Sequence, residues 1–152
     1  MKILMVCLGN ICRSPLAEGA MRQKAEQRDV DVAVDSCGTS NYHIGETPDP
    51  RSVENARENG VDISNLQARQ FVAEDFDRFD HIFVMDHSNY SDVVAQAKSD
   101  EQVNKVEMIL NYIEPGKNQP VPDPYFGGPD GFQLVFELLD QACDKILDDF
   151  EK

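Results

Sequence analysis

The chain has 152 residues, which suits one domain, and its apolar (41%) and charged (28%) fractions are those of an ordinary globular protein. It carries 14 Lys and Arg residues against 28 Asp and Glu residues, so its formal net charge is −14. This acidity argues against binding to nucleic acid or to anionic membranes, which need basic surfaces. No apolar run is long enough to span a bilayer and no signal peptide is expected, so we predict a cytoplasmic protein.

Short apolar segments alternate along the chain with segments whose apolar residues have helical spacing. The predicted strands are residues 2–8, 32–36, 81–85 and 106–110. The predicted helices are residues 14–27 with Ser14 as N-cap, 51–59 capped by Asp49, a helix to residue 97 capped by Asp86 or Ser88, and a long helix to residue 150 capped by Asp130. This alternation predicts an α/β fold: one domain with a parallel sheet of four strands, flanked by helices on both faces.

The most informative segment is residues 7–14, Cys-Leu-Gly-Asn-Ile-Cys-Arg-Ser, between the first predicted strand and the first predicted helix. A loop in this place directs backbone N–H groups and the positive end of the helix dipole toward an anion. Gly9 permits the unusual backbone angles that such a loop needs, and the Arg13 fork can hold two phosphate oxygens. We therefore predict a phosphate-binding loop after the first strand, composed of Leu8, Gly9, Asn10, Ile11, Cys12, Arg13 and Ser14.

Cys7 lies at the base of this loop. Hydrogen-bond donors, a helix N-terminus and an Arg lower the pKa of a thiol, so we predict a Cys7 thiolate that attacks phosphorus, steadied by the Ser14 hydroxyl. The alternative is a buried core cysteine at a strand end. A Walker-type loop is excluded because the sequence has no G-x-x-x-x-G-K-[ST] motif. Cys7 and Cys12 lack a second close pair of Cys or His, so no metal and no other cofactor is predicted.

The segment from Cys7 to Pro15 resembles the signature loop of the low-molecular-weight protein tyrosine phosphatases. The resemblance extends along nearly the whole chain, through Asp35-Ser36, residues 39–45, Ala68-Arg69-Gln70, Phe79-Asp80, Met85-Asp86, Ser88-Asn89 and Asp123-Pro124-Tyr125. It implies a phosphatase domain over residues 1–152 that hydrolyses phosphotyrosine in proteins through a phosphocysteine on Cys7. The implied substrate is a phosphotyrosine-containing protein, with a bacterial tyrosine kinase as one candidate, and inorganic phosphate is both product and weak inhibitor.

The resemblance also implies roles for residues outside the loop. Asp123 corresponds to the general acid and base of the family, although an Asp-Pro pair is otherwise a common turn starter. The implied pocket walls are Leu8, Ile11, Tyr42, Tyr125 and Phe126, and the implied loop-supporting residues are Asn10, Ser14 and Ser36. Cys12 is implied as a redox partner of Cys7. Two departures stand out: Phe126 replaces a tyrosine of many relatives, and residues 64–67 lack a histidine that supports the loop in some of them.

Three other functions remain open on the sequence. An arsenate reductase on the same scaffold needs two further cysteines, but residues 85–100 contain none. A protein-arginine phosphatase of the related branch typically has Thr where this chain has Ile11. A carrier domain that stores phosphate on a cysteine must protect its intermediate from hydrolysis, and Arg13 together with Asp123-Pro124 argues against that.

Overall fold

The computed structural model describes residues 1–125 and 128–151. Its strands are β1 (Lys2–Cys7), β2 (Ala33–Gly38), β3 (His81–Val84) and β4 (Val106–Met108), and they form one parallel sheet in the order β2-β1-β3-β4. The helices are α1 (Arg13–Gln27), α2 (Pro50–Glu58), α3 (Asp75–Arg78), α4 (His87–Val94), α5 (Asp100–Asn104) and α6 (Pro129–Phe150). The predicted α/β fold with four parallel strands is confirmed.

Strand β1 divides the core into two layers because successive side chains of a strand point to opposite faces. Ile3 and Met5 are fully buried in a cluster that includes residues of α1, α2 and α6. Leu4 and Val6 are fully buried in a second cluster, with residues of α3 and α4. Helices therefore cover both faces of the sheet, as predicted. Since all strands are parallel and β1 lies between β2 and β3, the segment after β1 starts in the middle of the carboxyl edge.

The start of α1 differs from the prediction. The helix begins at Arg13, and Cys12 occupies the N-cap position without any side-chain cap. The prediction of Ser14 as N-cap is therefore wrong. Its hydroxyl lies inside the first turn and is bonded to other side chains of the loop. Pro15 is still tolerated there, because the first N–H groups of a helix have no partner within it.

Of the other helix N-caps that the sequence predicts, two are confirmed and one is wrong. Asp49 and Asp86 are confirmed as N-caps, since each carboxylate accepts a hydrogen bond from a backbone N–H of the first turn. The prediction of Asp130 as N-cap is wrong: α6 begins at Pro129, and Gly128 precedes it without a side-chain cap. Pro129 suits the first helical position because it has no N–H to leave unpaired.

Several boundaries moved by one to three residues. Strand β2 extends to Gly38, because its pairing with β1 continues until Cys7 lies opposite Gly38. Strand β4 ends at Met108, and the last predicted strand residues form a 3₁₀ turn, Ile109–Tyr112. Helix α4 ends at Val94, short of residue 97. Within residues 1–125 and 128–151, no helix combines the length and apolar character needed to cross a bilayer.

Candidate active site

The phosphate loop, residues 7–14, is held by residues outside it, which donate hydrogen bonds to the backbone carbonyls of the loop. The backbone N–H groups of Thr39 and Ser40 donate to the carbonyls of Cys7 and Leu8, each at 2.9 Å, and the N–H of Asp49 donates to the Ile11 carbonyl at 2.8 Å. These bonds turn the carbonyls outward, which is the arrangement that an anion-binding nest of N–H groups requires. The N–H of Asn10 points inward, with its nitrogen 3.3 Å from Cys7 Sγ.

The unusual backbone angle of the loop falls on Asn10 and not on Gly9. Asn10 has a φ of +59°, and Gly9 is not in the left-handed region, so the prediction for Gly9 is corrected. A Cβ at Gly9 would lie 3.1 Å from Cδ2 of His43, so a side chain there would displace the His43 ring by a few tenths of an ångström. Asn tolerates the left-handed region better than most residues. The Arg69 N–H donates to Asn10 Oδ1 at 3.1 Å, and the Arg69 guanidinium is held by the fully buried carboxylate of Asp75.

Hydrogen bonds lead from the Cys7 sulfur to a buried carboxylate. Ser14 Oγ lies 3.0 Å from Cys7 Sγ, and the Asn10 amide donates to both Ser14 Oγ (2.7 Å) and Ser36 Oγ (3.0 Å). Ser36 in turn donates to Glu18 Oε1 at 2.6 Å. Since a carboxylate only accepts, Glu18 orients the Ser36 hydroxyl. Because the Asn10 amide donates to Ser14 Oγ, the Ser14 proton is directed to one of two acceptors, the Cys7 sulfur at 3.0 Å or the Cys37 carbonyl at 3.4 Å. The structure thus joins Asn10, Ser14 and Ser36, the three predicted supporting residues, around Cys7.

Glu18 is an unexpected member of this group. It lies on the second turn of α1, its residue is 2% exposed, and it also accepts a hydrogen bond from Arg22. Burial raises the pKa of the Glu18 carboxyl above its ordinary value, while the hydrogen bonds from Ser36 and Arg22 oppose that rise. No motif in the sequence marked this residue.

Arg13 is held in place by groups from two other parts of the chain. Its Nη1 donates to Asp86 Oδ2 at 2.9 Å and to the Val121 carbonyl at 3.0 Å, and its Nη2 lies 3.9 Å from Asp123 Oδ2. Asp86 therefore has two tasks, since its other oxygen caps α4. The sequence indicated only the cap. The position of Asp86 directly beyond β3, at the same sheet edge as the loop, was the available signal for the second task.

The predicted catalytic residues and most of the predicted walls meet at one pocket of about 260 Å³. Its lining comprises Cys7, Leu8, Gly9, Ile11, Cys12, Arg13, Tyr42, His43, Asp123 and Tyr125. Phe126 lies outside the described residues. Leu8, Tyr42 and Tyr125 are exposed at this pocket, so apolar and aromatic surface surrounds its polar base. A larger hollow of about 820 Å³ lies beside β4, and neither Cys7 nor Arg13 lines it.

Asp123 belongs to an irregular segment between the 3₁₀ turn and α6. Its Oδ1 accepts a hydrogen bond from the Tyr125 N–H at 3.0 Å, and its side chain is 47% exposed. This is an Asx-type turn of the kind that an Asp-Pro pair often makes, so the turn and a catalytic role are not exclusive. Pro124, which lies between Asp123 and Tyr125 in the sequence, is buried.

Cys12 lines the same pocket as Cys7 and is likewise buried. Burial raises the pKa of the Cys12 thiol to about 12, and the neighbouring Ser52 hydroxyl opposes part of that rise. Cys12 is therefore a neutral thiol at physiological pH. In the part of the chain that the structure describes, no cluster of three or more His, Cys, Asp or Glu side chains is arranged to hold a metal ion.

Comparison with known proteins identifies the family. The family described as low molecular weight phosphotyrosine protein phosphatase matches residues 2–152. A phosphatase of that name from Schizosaccharomyces pombe is 42% identical over 143 residues, covering 91% of this chain and 90% of its own. A protein tyrosine phosphatase structure from Entamoeba histolytica has a TM-score of 0.93 at 35% identity, with 99% and 97% of the two chains covered.

A structure of a Drosophila arginine phosphatase is also similar, with a TM-score of 0.92 at 31% identity and 100% and 99% of the two chains covered. The fold therefore occurs with two kinds of phosphorylated side chain, and the family match spans both the phosphate loop and the Asp123 segment. On this match and these identities, the chain belongs to the low molecular weight phosphotyrosine protein phosphatase family.

Proposed function

We propose that this protein hydrolyses phosphotyrosine in proteins, with Cys7 as nucleophile, Arg13 and the amides of the phosphate loop as phosphate ligands, and Asp123 as general acid and base. The observation that carries the proposal is the convergence of these three side chains on one pocket with an aromatic and apolar rim. Family membership supports the reaction class.

In the first step, the Cys7 thiolate attacks phosphorus and an S–P bond forms. The bond from phosphorus to the tyrosine oxygen breaks, and Asp123 gives its proton to that oxygen, so that tyrosine leaves neutral. Arg13 supports the charge on the equatorial phosphate oxygens, because its guanidinium is already oriented by Asp86 and the Val121 carbonyl. Before attack, the Ser14 hydroxyl donates a hydrogen bond to the thiolate and keeps its proton.

In the second step, water hydrolyses the phosphocysteine. Asp123 is now a carboxylate and takes a proton from the water as it attacks phosphorus. The S–P bond breaks, the electron pair returns to sulfur, and inorganic phosphate is released from the loop. The Ser14 hydroxyl, 3.0 Å from Sγ, steadies the departing thiolate. Phosphate then competes weakly with substrate for the same donors.

The pocket favours a phosphorylated phenol. Ile11 and Leu8 supply apolar walls, and the Tyr42 and Tyr125 rings offer faces against which an aromatic ring can pack. The second candidate is phosphoarginine, which the similarity to the Drosophila arginine phosphatase favours. We expect the larger Ile11 side chain to select against it, and an Ile11→Thr variant to gain activity on a phosphoarginine peptide.

The experiment is phosphate release from a phosphotyrosyl peptide and from a phosphoarginyl peptide, without added metal and with the thiols reduced. The parent should turn over the phosphotyrosyl peptide, and Cys7→Ser should show no turnover while keeping its folded circular dichroism. Cys143→Ala is the matched control, since Cys143 lies in α6 outside the pocket lining and its replacement should leave turnover intact. Turnover by Cys7→Ser, or a preference for phosphoarginine, would contradict the proposal.

The proposal extends to the oxidation chemistry of the pocket. Peroxide converts the Cys7 thiolate to a sulfenic acid, the Cys12 thiol condenses with it to form a disulfide, and water leaves. Two equivalents of a thiol reductant restore both cysteines. We expect the parent to recover activity after peroxide and dithiothreitol, and Cys12→Ser to recover much less. Equal recovery of the two proteins would remove Cys12 as a redox partner.

The physiological setting is proposed from the same chemistry. A phosphotyrosine-containing protein of the cytoplasm is the substrate, and an autophosphorylated bacterial tyrosine kinase is the first candidate to test. Incubation of such a kinase with the parent and with Cys7→Ser, followed by phosphotyrosine immunoblotting, should show loss of signal with the parent alone.

A further inference from the structure

Arg51, on the first turn of α2, contacts the segment that carries Asp123. Its Cζ lies 5.3 Å from the centroid of the Tyr125 ring and 4.9 Å from the centroid of the Phe132 ring. Phe132 is buried on α6, whereas Tyr125 lies at the mouth of the pocket. A guanidinium over an aromatic face is attracted by the ring and also stacks on it, so the two rings define where Arg51 lies.

Asp49 fixes the other side of Arg51 and fastens it to the phosphate loop. The Arg51 Nε and Nη2 atoms donate to the two carboxylate oxygens of Asp49, at 3.1 and 2.9 Å. The backbone N–H of Asp49 donates to the Ile11 carbonyl at 2.8 Å. A planar guanidinium bonded in this two-point way cannot rotate without losing a hydrogen bond. Arg51 is therefore oriented by a residue that is itself bonded to the phosphate loop.

Tyr125 connects this arrangement to the acid. Its backbone N–H donates to Asp123 Oδ1 at 3.0 Å, and the other carboxylate oxygen of Asp123 lies 3.9 Å from Arg13. Asp123 itself is half exposed, so burial does not restrain its side chain. Through this hydrogen bond, the position of the Tyr125 backbone influences where the carboxyl group of Asp123 lies relative to the phosphate loop.

We propose that Arg51 is a positioning residue, which holds Tyr125 and thereby keeps Asp123 in reach of the leaving-group oxygen above the phosphate loop. The proposal rests on the function proposed above and adds a residue that touches neither substrate nor Cys7. Lys cannot replace Arg51 here, since an ammonium offers neither the planar face for two rings nor the two-point pairing with Asp49.

The test exploits the dependence of acid catalysis on the leaving group. We compare kcat/KM for phenyl phosphate, whose leaving group needs a proton, with kcat/KM for p-nitrophenyl phosphate, whose leaving group needs it much less. Since kcat/KM reports the step that forms the phosphocysteine, a displaced acid should affect the two substrates unequally. We expect Arg51→Ala to lose about 5- to 10-fold on phenyl phosphate and no more than about 2-fold on p-nitrophenyl phosphate.

Three further variants make the outcome decisive. Arg51→Lys should show the same inequality, and it carries the test if Arg51→Ala does not fold. Arg57→Ala is the matched control, because Arg57 is an exposed residue of the same helix that pairs with Glu54, and it should leave both substrates unchanged. In the background of Asp123→Ala, the replacement of Arg51 should cause no further unequal loss.

The outcomes separate the two proposals. Equal slowing of both substrates by Arg51→Ala and Arg51→Lys would overturn the positioning role, because it would place the effect in binding or folding. If Asp123→Ala itself slowed both substrates equally, the assignment of the general acid in the proposed function would fail instead.

Discussion

The phosphate loop and the segment around Asp123 border the same pocket, but they are built differently. In the loop, Cys7 and Arg13 are 3% and 4% exposed, and each polar group of Asn10, Ser14 and Arg13 described above has a named partner. On the other side, the Asp123 side chain is 47% exposed and the Tyr125 residue 41%. In the proposed function, the loop supplies preorganised donors for the phosphate, where charge develops in the transition state. The Asp123 segment and the rim would then meet the leaving group and the rest of the substrate, which vary and must enter and leave.

The largest effect should come from the loop itself. Arg13→Lys keeps the positive charge but loses the fork that Asp86 and the Val121 carbonyl orient. Loss of one preorganised donor of this kind costs about 10²–10³-fold in rate. We expect a loss of that size in kcat/KM, equal for phenyl phosphate and p-nitrophenyl phosphate, because both substrates present the same phosphate. A loss confined to phenyl phosphate would contradict the proposed difference between the phosphate loop and the Asp123 segment, since it would give Arg13 a role at the leaving group.

The next largest effect should come from the exposed side of the pocket. Asp123→Ala should lower kcat/KM for phenyl phosphate by about 10²-fold or more, and should lower it far less for p-nitrophenyl phosphate. Asp123→Asn is the matched variant, because it keeps the size and the hydrogen bond from the Tyr125 N–H but carries no transferable proton. Full activity of Asp123→Asn on phenyl phosphate would exclude Asp123 as the acid.

A smaller effect should appear in stability, and again in the buried region. Ser36→Ala leaves one oxygen of the buried Glu18 without its short hydrogen bond and deprives Asn10 of one acceptor. An unpaired buried polar group costs about 1–3 kcal/mol, so the free energy of unfolding in urea should fall by that amount. Ser91→Ala, an exposed site on α4, should change it by less than about 0.5 kcal/mol. Equal effects of the two variants would mean that the Glu18 network does not hold the loop.

The smallest effect on stability should come from the pair of Asp49 and Arg51, which lies between the phosphate loop and the Asp123 segment. The hydrogen bond from the Arg51 side chain lowers the pKa of the Asp49 carboxyl from its ordinary value of 3.8, although partial burial opposes the shift. A carboxyl whose folded pKa is lowered stabilises the fold above its unfolded pKa, and that contribution is lost as the pH falls through the folded pKa. Asn also caps helices, so Asp49→Asn removes mainly the charge pair with the partly exposed Arg51.

We therefore expect Asp49→Asn to lower the free energy of unfolding by up to about 1 kcal/mol at pH 7. The difference from the parent should remain constant down to about pH 5 and narrow below pH 3.8. Urea titrations at several pH values measure this directly. A difference that widened toward acid pH would contradict the lowered pKa.

The fold was predictable where local signals were long and consistent. The apolar segment that became β1 and the periodic segment that became α6 were both identified, as were the caps Asp49 and Asp86. Helices α3 and α5 were missed because they have four and five residues, too few to show a helical period. The cap of α1 was misassigned because a Ser before a Pro suits a cap locally, while the tertiary structure uses Ser14 at the sulfur.

The site was predictable for the groups that a motif brings together. Cys7, Arg13 and Ser14 lie within eight residues, so their chemistry could be predicted from the sequence. The residues that orient these groups could not be predicted from the sequence. Glu18 accepts a hydrogen bond from Ser36, which lies on another element, and Asp86 pairs with Arg13 at a separation of 73 residues. Such partners are ordinary polar residues whose meaning depends on which sheet edge or helix face they share.

The burial of the cysteines has a practical consequence for chemical labelling. Burial raises the pKa of the thiols of Cys12, Cys37 and Cys143 well above the ordinary value, so all three stay protonated at pH 7. Electrophiles such as haloacetamides react with thiolates, and only Cys7 has both a pocket opening and a hydroxyl and an amide directed at its sulfur. A haloacetamide joined to an aryl group should thus attach once per molecule. Its stoichiometry would count competent active sites in a preparation, with no need for a substrate.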